Sequence, residues 1–233
     1  MKKRLFFCAG LVWLLAGCTI RREVIQPSGY NFSQDILRLV PRETIDKVRE
    51  LGVPVYEGRT PPNVEGIYSI APVYMTKSTV PNEPIKPDGF TDERLRIYNQ
   101  NTTNLTASLD KKSINANNGA TVGTATGQGT YLAGNGSFFS LFVILDNTRT
   151  STGTRSRTLE LYSGELTTTG IRGMQSTLLM LDDYGDPKGE YIPVNTGRAF
   201  KDNDGFSERI SSFRRPAPLD PTNVQVPALP NQQ

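Results

Sequence analysis

Two carboxylates that lie close together in the sequence are the residues best suited to catalysis. Glu160 and Glu165 are five positions apart, and glycosidases work with a pair of carboxyl groups at a set separation. On one β-strand, side chains at this spacing point to opposite faces unless a bulge, here at Gly164, shifts the register. The spacing therefore gives little support to a carboxylate-dependent hydrolase, which we keep as a third interpretation.

Histidine is absent from the 233 residues of the sequence. Ser-His-Asp and Cys-His mechanisms both need an imidazole base beside the nucleophile, so neither is available to this chain. The usual zinc sites need histidine or several cysteines, and the sequence has only two cysteines. Carboxylate pairs, Ser-Lys arrangements and calcium or magnesium held by oxygen ligands remain available, but no specific motif indicates any of them. We therefore expect no catalytic residues, no metal and no cofactor, and we predict that the protein is not an enzyme.

Residues 202–205 (Asp-Asn-Asp-Gly) have the composition of a calcium-binding loop. Calcium takes six to eight oxygen ligands, and the distal glutamate that completes an EF-hand loop is missing around Ser211. Aspartate, asparagine and glycine are also the residues that tight turns require. We therefore interpret residues 202–205, and the similar acidic segment 182–186, as hairpin turns and not as metal sites.

The first eighteen residues follow the order of a bacterial export signal. Basic residues 2–4 precede an apolar run from Leu5 to Leu15, and small residues lead to Cys18. The run is about half of the 20 residues that a membrane-spanning helix needs. Leu15-Ala16-Gly17-Cys18 resembles the lipobox of bacterial lipoproteins, which implies cleavage before Cys18 and acyl chains on this cysteine that hold the protein to a membrane. The alternative is a soluble secreted protein with a chance cysteine at this position.

Removal of the signal changes the composition of the chain. The full sequence has 26 basic and 23 acidic residues, a net charge of +3, and the three basic residues at positions 2–4 leave with the signal. The 23 basic residues that remain match the 23 acidic ones, so nothing favours nucleic acid as a partner. Cys8 and Trp13 are also lost, so no intramolecular disulfide can form. Stability must therefore come from an apolar core.

Residues 19–22 (Thr-Ile-Arg-Arg) bear on the location of the protein. They lack the aspartate that resembles an inner-membrane retention signal, and they lack the acidic cluster that resembles a surface-export signal in Bacteroidetes. We expect the protein on the periplasmic face of the outer membrane, with the cell surface as the alternative. Its expected partners are the membrane, through acyl chains on Cys18, and a small apolar ligand, and any protein partner is unknown.

The sequence divides into five segments. They are a signal peptide (1–17), a flexible tether (18–33), an amphipathic helical segment (34–52), an antiparallel β domain (60–212) and a Pro-rich disordered tail (213–233). A docking role for the tail is a less favoured alternative.

The helical segment has clear start and stop signals. Ser33 is a suitable N-cap, Gly52 closes the segment, and Pro41 suits the first turn of a second short helix. The apolar residues in between, including Ile45 and Val48, share one face. We therefore predict two helical pieces with an apolar stripe that must be covered.

From Gly66 to about residue 210 the pattern is that of strands and turns. The glycine-rich segment 123–136 is predicted to form strands and tight turns, because it leads directly into the apolar run 138–145. This run is apolar on both faces, so both faces must be covered. We hypothesise a strand whose inner face lies in a barrel and whose outer face lies beneath the helical segment.

Gly66-Ile67-Tyr68 resembles the Gly-x-Trp start of lipocalin and related calycin barrels, with tyrosine in place of tryptophan. Together with residues 60–65, 163–165, 170–171 and 197–202, it resembles a group of uncharacterised lipoproteins from Bacteroidetes-like bacteria. This resemblance implies a mainly β, antiparallel up-and-down barrel with the helix packed outside. A β-sandwich is the alternative.

In such a barrel a ligand would sit in the lumen. The candidate lining residues are Tyr68, Phe139, Tyr162 and Tyr191, although these aromatics could equally fill a packed core. The leading interpretation is a non-enzymatic envelope lipoprotein that binds a small apolar ligand or serves as a structural or assembly component. The second is a surface module that binds glycan or protein on a β-sandwich.

Overall fold

The computed structural model describes residues 31–86 and 89–213. Two helices come first, α1 (Gln34–Leu39) and α2 (Arg42–Glu50). Eleven strands follow: β1 (Arg59–Thr60), β2 (Gly66–Ile70), β3 (Val73–Ser78), β4 (Asp92–Asn101), β5 (Thr106–Ile114), β6 (Thr121–Asn135), β7 (Phe138–Arg149), β8 (Arg155–Leu166), β9 (Gly170–Asp182), β10 (Gly197–Asp202) and β11 (Phe206–Arg209). The described chain is therefore mainly β, as predicted. The signal peptide, Cys18 and the tail beyond Phe213 lie outside the described residues.

All eleven strands belong to one sheet, and eight of them form a closed ring. The order around the ring is β2, β4, β5, β6, β7, β8, β9 and β11, and every neighbouring pair is antiparallel. The ring closes because β11 pairs with β9 on one side and with β2 on the other. Closure leaves these strands without a free edge along the paired stretches, which removes the risk of edge-to-edge aggregation there.

β3 and β10 extend two members of the ring. β10 and β11 both run antiparallel to β9, so they form one interrupted line, and β3 pairs with β10 just as β2 pairs with β11. β2 and β3 form a second interrupted line beside it, and the interruption lies at Ala71–Pro72, whose peptide bond is cis. The line of β10 and β11 is interrupted at residues 203–205.

The path of the chain through residues 202–205 corrects the prediction of a hairpin turn there. β10 and β11 run in the same direction, so this acidic segment does not reverse the chain. The turn chemistry is nevertheless present, because the Asp204 carboxylate accepts a hydrogen bond from the Phe206 amide at 2.9 Å. In segment 182–186, Asp182 accepts in the same way from the Tyr184 amide at 2.8 Å.

Strand β7 has both of its faces covered over residues 139–145, as the sequence predicted, whereas Phe138 at its start is 41% exposed. Phe139, Leu141, Val143 and Leu145 belong to the apolar cluster inside the ring. Phe142 and Ile144 belong to a second cluster, which includes the apolar residues of the helices. The helices therefore pack on the outside of the ring.

The helical segment forms as its sequence signals predict. The Ser33 hydroxyl caps α1 by accepting a hydrogen bond from the Ile36 amide at 3.3 Å. Pro41 separates the helices, although it is the N-cap of α2 and not a residue of its first turn. Gly52, with φ of +83°, follows the last turn, a conformation that glycine adopts without strain.

The packed part of the chain begins earlier than predicted. Residues 18–33 were expected to form a flexible tether, but Phe32 is buried and packs edge-on against Phe142, with ring centroids 5.6 Å apart. The apolar gain from burying an aromatic ring exceeds the cost of ordering its residue. The end of the predicted tether is therefore part of the fold.

The glycine-rich segment is a strand, as predicted, and Gly134 shows why glycine is needed in it. A Cβ at Gly134 would lie 2.3 Å from the Phe138 carbonyl oxygen, and a Cβ at Gly58 would lie 2.5 Å from the Gly134 oxygen. The chain that enters from the helices can therefore approach β6 closely only because both positions are glycine.

Replacement of Ile45 with alanine should destabilise the protein by about 2–5 kcal/mol, because Ile45 is fully buried between α2 and the ring. Lys47 is exposed on the opposite face of the same helix, and Lys47→Ala should change stability by less than about 0.5 kcal/mol. Urea unfolding measures both variants. Equal stability of Ile45→Ala and the parent protein would show that the helix does not depend on this packing.

Asp202 predicts a measurable pH dependence. Its side chain is 3% exposed and accepts a hydrogen bond from the Ser207 hydroxyl at 2.7 Å. Burial, reinforced by the neighbouring charge of Asp204, raises the pKa of Asp202 to about 6. The folded protein therefore holds this proton more tightly than the unfolded chain. Its contribution to stability should fall by about 2 kcal/mol as the pH rises from about 4 to 6.

Asp202→Asn removes the titrating group, so the variant should lose this fall and be the more stable protein above pH 6. Urea unfolding at a series of pH values tests the difference between variant and parent. Glu208→Gln, at an exposed position of β11, serves as the control. A constant difference between Asp202→Asn and the parent from pH 4 to 7 would contradict the assignment.

Candidate functional site

The interior of the ring is packed at one end. Tyr68 and Phe139 are fully buried there in the inner apolar cluster. The Tyr68 hydroxyl donates a hydrogen bond to the Val64 carbonyl at 3.0 Å and accepts one from Arg209 at 2.9 Å. We call this the packed end. Tyr68 and Phe139, two of the four candidate lining residues, fill the core here and do not border the cavity described next.

A cavity of about 240 Å³ lies at the opposite end of the ring, which we call the cavity end. It is bordered by the first residues of β4, β6 and β8, the last residues of β5 and β7, and the long segment between β9 and β10. Its wall combines apolar and polar side chains. The apolar ones include Val73, Phe90, Val122, Met180, Ile192 and Phe200, and the polar ones include Glu93, Lys111, Asn147, Arg149, Thr158, Glu190 and Arg198.

Tyr191, the third candidate, borders this cavity directly. Tyr162, the fourth, is fully buried, and its hydroxyl contacts two glutamates near the base of the cavity. The structure thus places the four candidates at different levels of one interior. It brings only Tyr191 and Tyr162 close to the cavity, and polar residues that the sequence did not single out make up much of its wall.

A buried ion cluster forms the floor of the cavity. The Lys111 ammonium lies 2.6 and 2.7 Å from the two oxygens of Glu160 and 3.5 Å from an oxygen of Glu93. The side chains of Lys111 and Glu160 are 6% and 3% exposed, and that of Glu93 is 17% exposed. The three residues come from β5, β8 and β4, so they meet only because the ring brings these strands together.

Hydroxyl groups donate further hydrogen bonds to Glu160. The Tyr162 hydroxyl donates to one oxygen at 2.5 Å, and the Thr158 hydroxyl donates to the other at 3.0 Å. Asn147 in turn donates from its side-chain amide to Thr158 at 2.9 Å. A buried charge is tolerated only when it is paired and hydrogen-bonded, and Glu160 meets both conditions.

The charges in the cluster set its protonation states. Burial acts to lower the pKa of Lys111, but the charges of Glu160 and Glu93 more than offset it, so the pKa is raised and the ammonium is retained. Burial raises the pKa of Glu93 despite the nearby Lys111. Burial and the two carboxylates also raise the pKa of Tyr162 well above its ordinary value, so its hydroxyl stays protonated.

Two further ion pairs stand at the mouth of the cavity. Arg149 lies 3.3 Å from Glu190, and its guanidinium also faces the Tyr191 ring. Arg198 forms a two-bond pair with Glu83 and stacks near Phe90. These pairs connect the strands to the segments between β3 and β4 and between β9 and β10.

Glu160 and Glu165 do not form a catalytic pair. Glu160 points into the ring, whereas Glu165 is paired with Arg172 at 2.8 Å on the other face of β8. The register of β8 against β9 does shift at Gly164, but the two carboxylates remain on opposite faces. The carboxylate that accompanies Glu160 is instead Glu93. Its inward position could have been found from the alternation with Leu95 and Ile97, which are both buried.

The described residues contain no group of three or more acidic, cysteine or histidine side chains that could hold a metal ion. Within the same part of the chain, no helix has the length and apolar character needed to cross a membrane. Comparison with known proteins finds no matching family model, no matching curated protein and no matching solved structure.

Replacement of Lys111 with methionine should destabilise the protein by about 3–5 kcal/mol, because it leaves Glu160 and Glu93 in the interior without their cation. Adding Glu160→Gln to this variant should recover part of the loss. Lys112→Met changes the next residue, which faces outward over Phe213, and should cost less than about 1 kcal/mol. Chemical denaturation compares the variants. A Lys111→Met protein as stable as Lys112→Met would refute the role of the cluster.

Proposed function

We propose that this chain is a lipid-anchored, non-enzymatic protein of the bacterial cell envelope that binds a small ligand inside an up-and-down β-barrel of lipocalin-like design. The observation that carries the proposal is the cavity at one end of a closed ring, with a buried ion cluster as its floor. The periplasmic face of the outer membrane is the proposed location.

The topology supports the barrel. The eight ring strands follow one another in chain order with antiparallel neighbours, which is the connectivity of an up-and-down barrel. Barrels of about eight strands have room for a filled core or for one small ligand. The ring of this protein has a filled core at its packed end and a cavity at its other end. Gly66-Ile67-Tyr68 begins the first ring strand, where the lipocalin resemblance expects it.

The wall of the cavity favours a ligand of mixed character. The sequence led us to expect a small apolar ligand, and Phe90, Phe200 and Ile192 offer apolar surface for one. Glu93 and Lys111 lie at the floor, however, and a purely apolar ligand would cover these charges without satisfying them. We therefore propose a ligand with an apolar body and a polar end. The cavity lies just below the range of about 300–1,000 Å³ for small-molecule sites, so the ligand must be small.

Native mass spectrometry of the protein purified from its own host tests the ligand site. Ser113 borders the cavity, and Ser113→Tyr should fill it. The parent protein should carry a non-covalent small molecule that this variant lacks. Thr126→Tyr, at an exposed position of the neighbouring strand β6, is the matched control and should retain the molecule. A parent protein free of any bound molecule would favour a structural or assembly role instead.

The anchor is tested separately at Cys18. Cys18→Ser should abolish labelling by a radioactive fatty acid and move the protein from the membrane fraction to the soluble fraction, because the acyl chains supply the membrane affinity. Cys8→Ser, within the predicted signal, should leave both properties unchanged. Membrane association and labelling that survive Cys18→Ser would refute the lipid anchor without bearing on the cavity.

A further inference from the structure

We propose that the cavity selects ligands that carry a small cationic group, such as a primary ammonium, and that Glu93 is the counter-charge for this group. The inference rests on the proposed function, because it names the class of ligand for the same cavity. It follows from the pairing of charges around the cavity and from the geometry of its floor.

Each cation that borders the cavity in the described residues is already paired with a carboxylate. Lys111 is held by Glu160, Arg149 by Glu190, and Arg198 by Glu83. Glu93 is the remaining carboxylate on the wall. The three cations that border the cavity thus have four carboxylates among their direct partners and the wall, namely Glu83, Glu93, Glu160 and Glu190. An anionic ligand would have to displace one of these partners, whereas a cationic ligand would balance the set.

The distances on the floor show that Glu93 is the less satisfied carboxylate. Both close contacts of the Lys111 ammonium go to Glu160, and Glu93 is 3.5 Å away. The Tyr162 hydroxyl has one proton to donate. It lies 2.5 Å from Glu160 and 3.3 Å from Glu93, so the proton is directed to Glu160.

The position of Glu93 also suits contact with a ligand. Its side chain is 17% exposed, against 3% for Glu160, and it borders the cavity, whereas Glu160 does not. A charge-assisted hydrogen bond to a carboxylate is about twice as strong as a neutral one, and the apolar surroundings strengthen it further. Phe90 and Phe200 would cover the apolar body of the same ligand.

Protonation of Glu93 provides a second line of support. Burial and the charge of Glu160 raise its pKa, and Lys111 lowers it in part. The other groups around the cavity that carry charge or titrate are Arg149, Arg198, Glu190 and Tyr191. An ammonium ligand requires the ionised form of Glu93, so its affinity should decrease as the pH falls through the raised pKa. The affinity of a neutral ligand of the same shape should not decrease in this way.

Titration calorimetry on the full-length lipidated protein in a non-ionic detergent tests the proposal. The probes are n-alkylammonium ions from propyl to pentyl, each with the alcohol and the carboxylate of the same length. At neutral pH the best ammonium should bind at least tenfold more tightly than its alcohol, and the carboxylate should bind most weakly. Ser113→Tyr, with its cavity filled, corrects for partition of the probes into detergent.

Glu93→Gln is the decisive variant, because it removes the negative charge of Glu93 and keeps the shape of the side chain. It should reduce the preference for ammonium over alcohol to about onefold. Glu208→Gln, exposed on β11 at the packed end, should keep the full preference. The comparison of ammonium with alcohol in the parent protein, and its dependence on pH, test the proposal even if Glu93→Gln does not fold.

Three results would overturn the inference: no binding by any ammonium of the series, equal binding of ammonium and alcohol, or a preference that Glu93→Gln does not reduce in a folded protein. If mass spectrometry finds a retained molecule without a cationic group, this inference fails while the proposed ligand site stands. If the parent protein retains no molecule but prefers ammonium ions in calorimetry, the inference about selectivity stands.

Discussion

Closure of the sheet by β11 is the constraint on which the rest of the structure depends. β11 has only four residues, yet it pairs with β9 on one side and with β2 on the other. This pairing turns a long sheet into a ring and so gives it an interior. The inner apolar cluster, the cavity and the buried ion cluster all lie within that enclosure. Arg209, at the end of β11, also covers Tyr68 at the packed end.

The enclosure explains why charges can be kept in the interior. Taking an ammonium and a carboxylate out of water costs several kcal/mol for each ion, and only close pairing with further hydrogen bonds returns that energy. Lys111 and Glu160 have such surroundings, because Tyr162 and Thr158 add donors on the same side. Replacing such a buried group of ions with well-packed hydrophobic residues of similar volume is often neutral or stabilising. Stability alone therefore does not account for the ions in this interior.

Local signals predicted the two helices correctly. Ser33, Pro41 and Gly52 each act through the backbone within a few residues, so the two helices could be predicted from them. The apolar run in β7 was equally informative, since residues apolar on both faces require a cover on each side, and the helices supply the outer one.

Features that depend on distant contacts could not be derived in this way. The turn chemistry of residues 202–205 was recognised, but a turn does not fix the direction of the chain that follows, and here β11 continues along β9. Glu93, Lys111 and Glu160 each look like an ordinary polar residue of a strand. Their inward direction follows from the alternation of side chains, but their pairing becomes visible only when three strands from different parts of the chain are brought together.

The described chain begins near one end of the ring. Asn31, the first described residue, bonds through its carbonyl to the Gly58 amide, and Gly58 in turn bonds to Gly134 near the end of β6. That end of β6 is the packed end, whereas the cavity is bordered by Val122 and Gly123 at the start of the same strand. The described chain therefore joins the fold at the packed end, on the side opposite the cavity. The route by which a ligand reaches the cavity is thus separate from the point at which the preceding chain joins the fold.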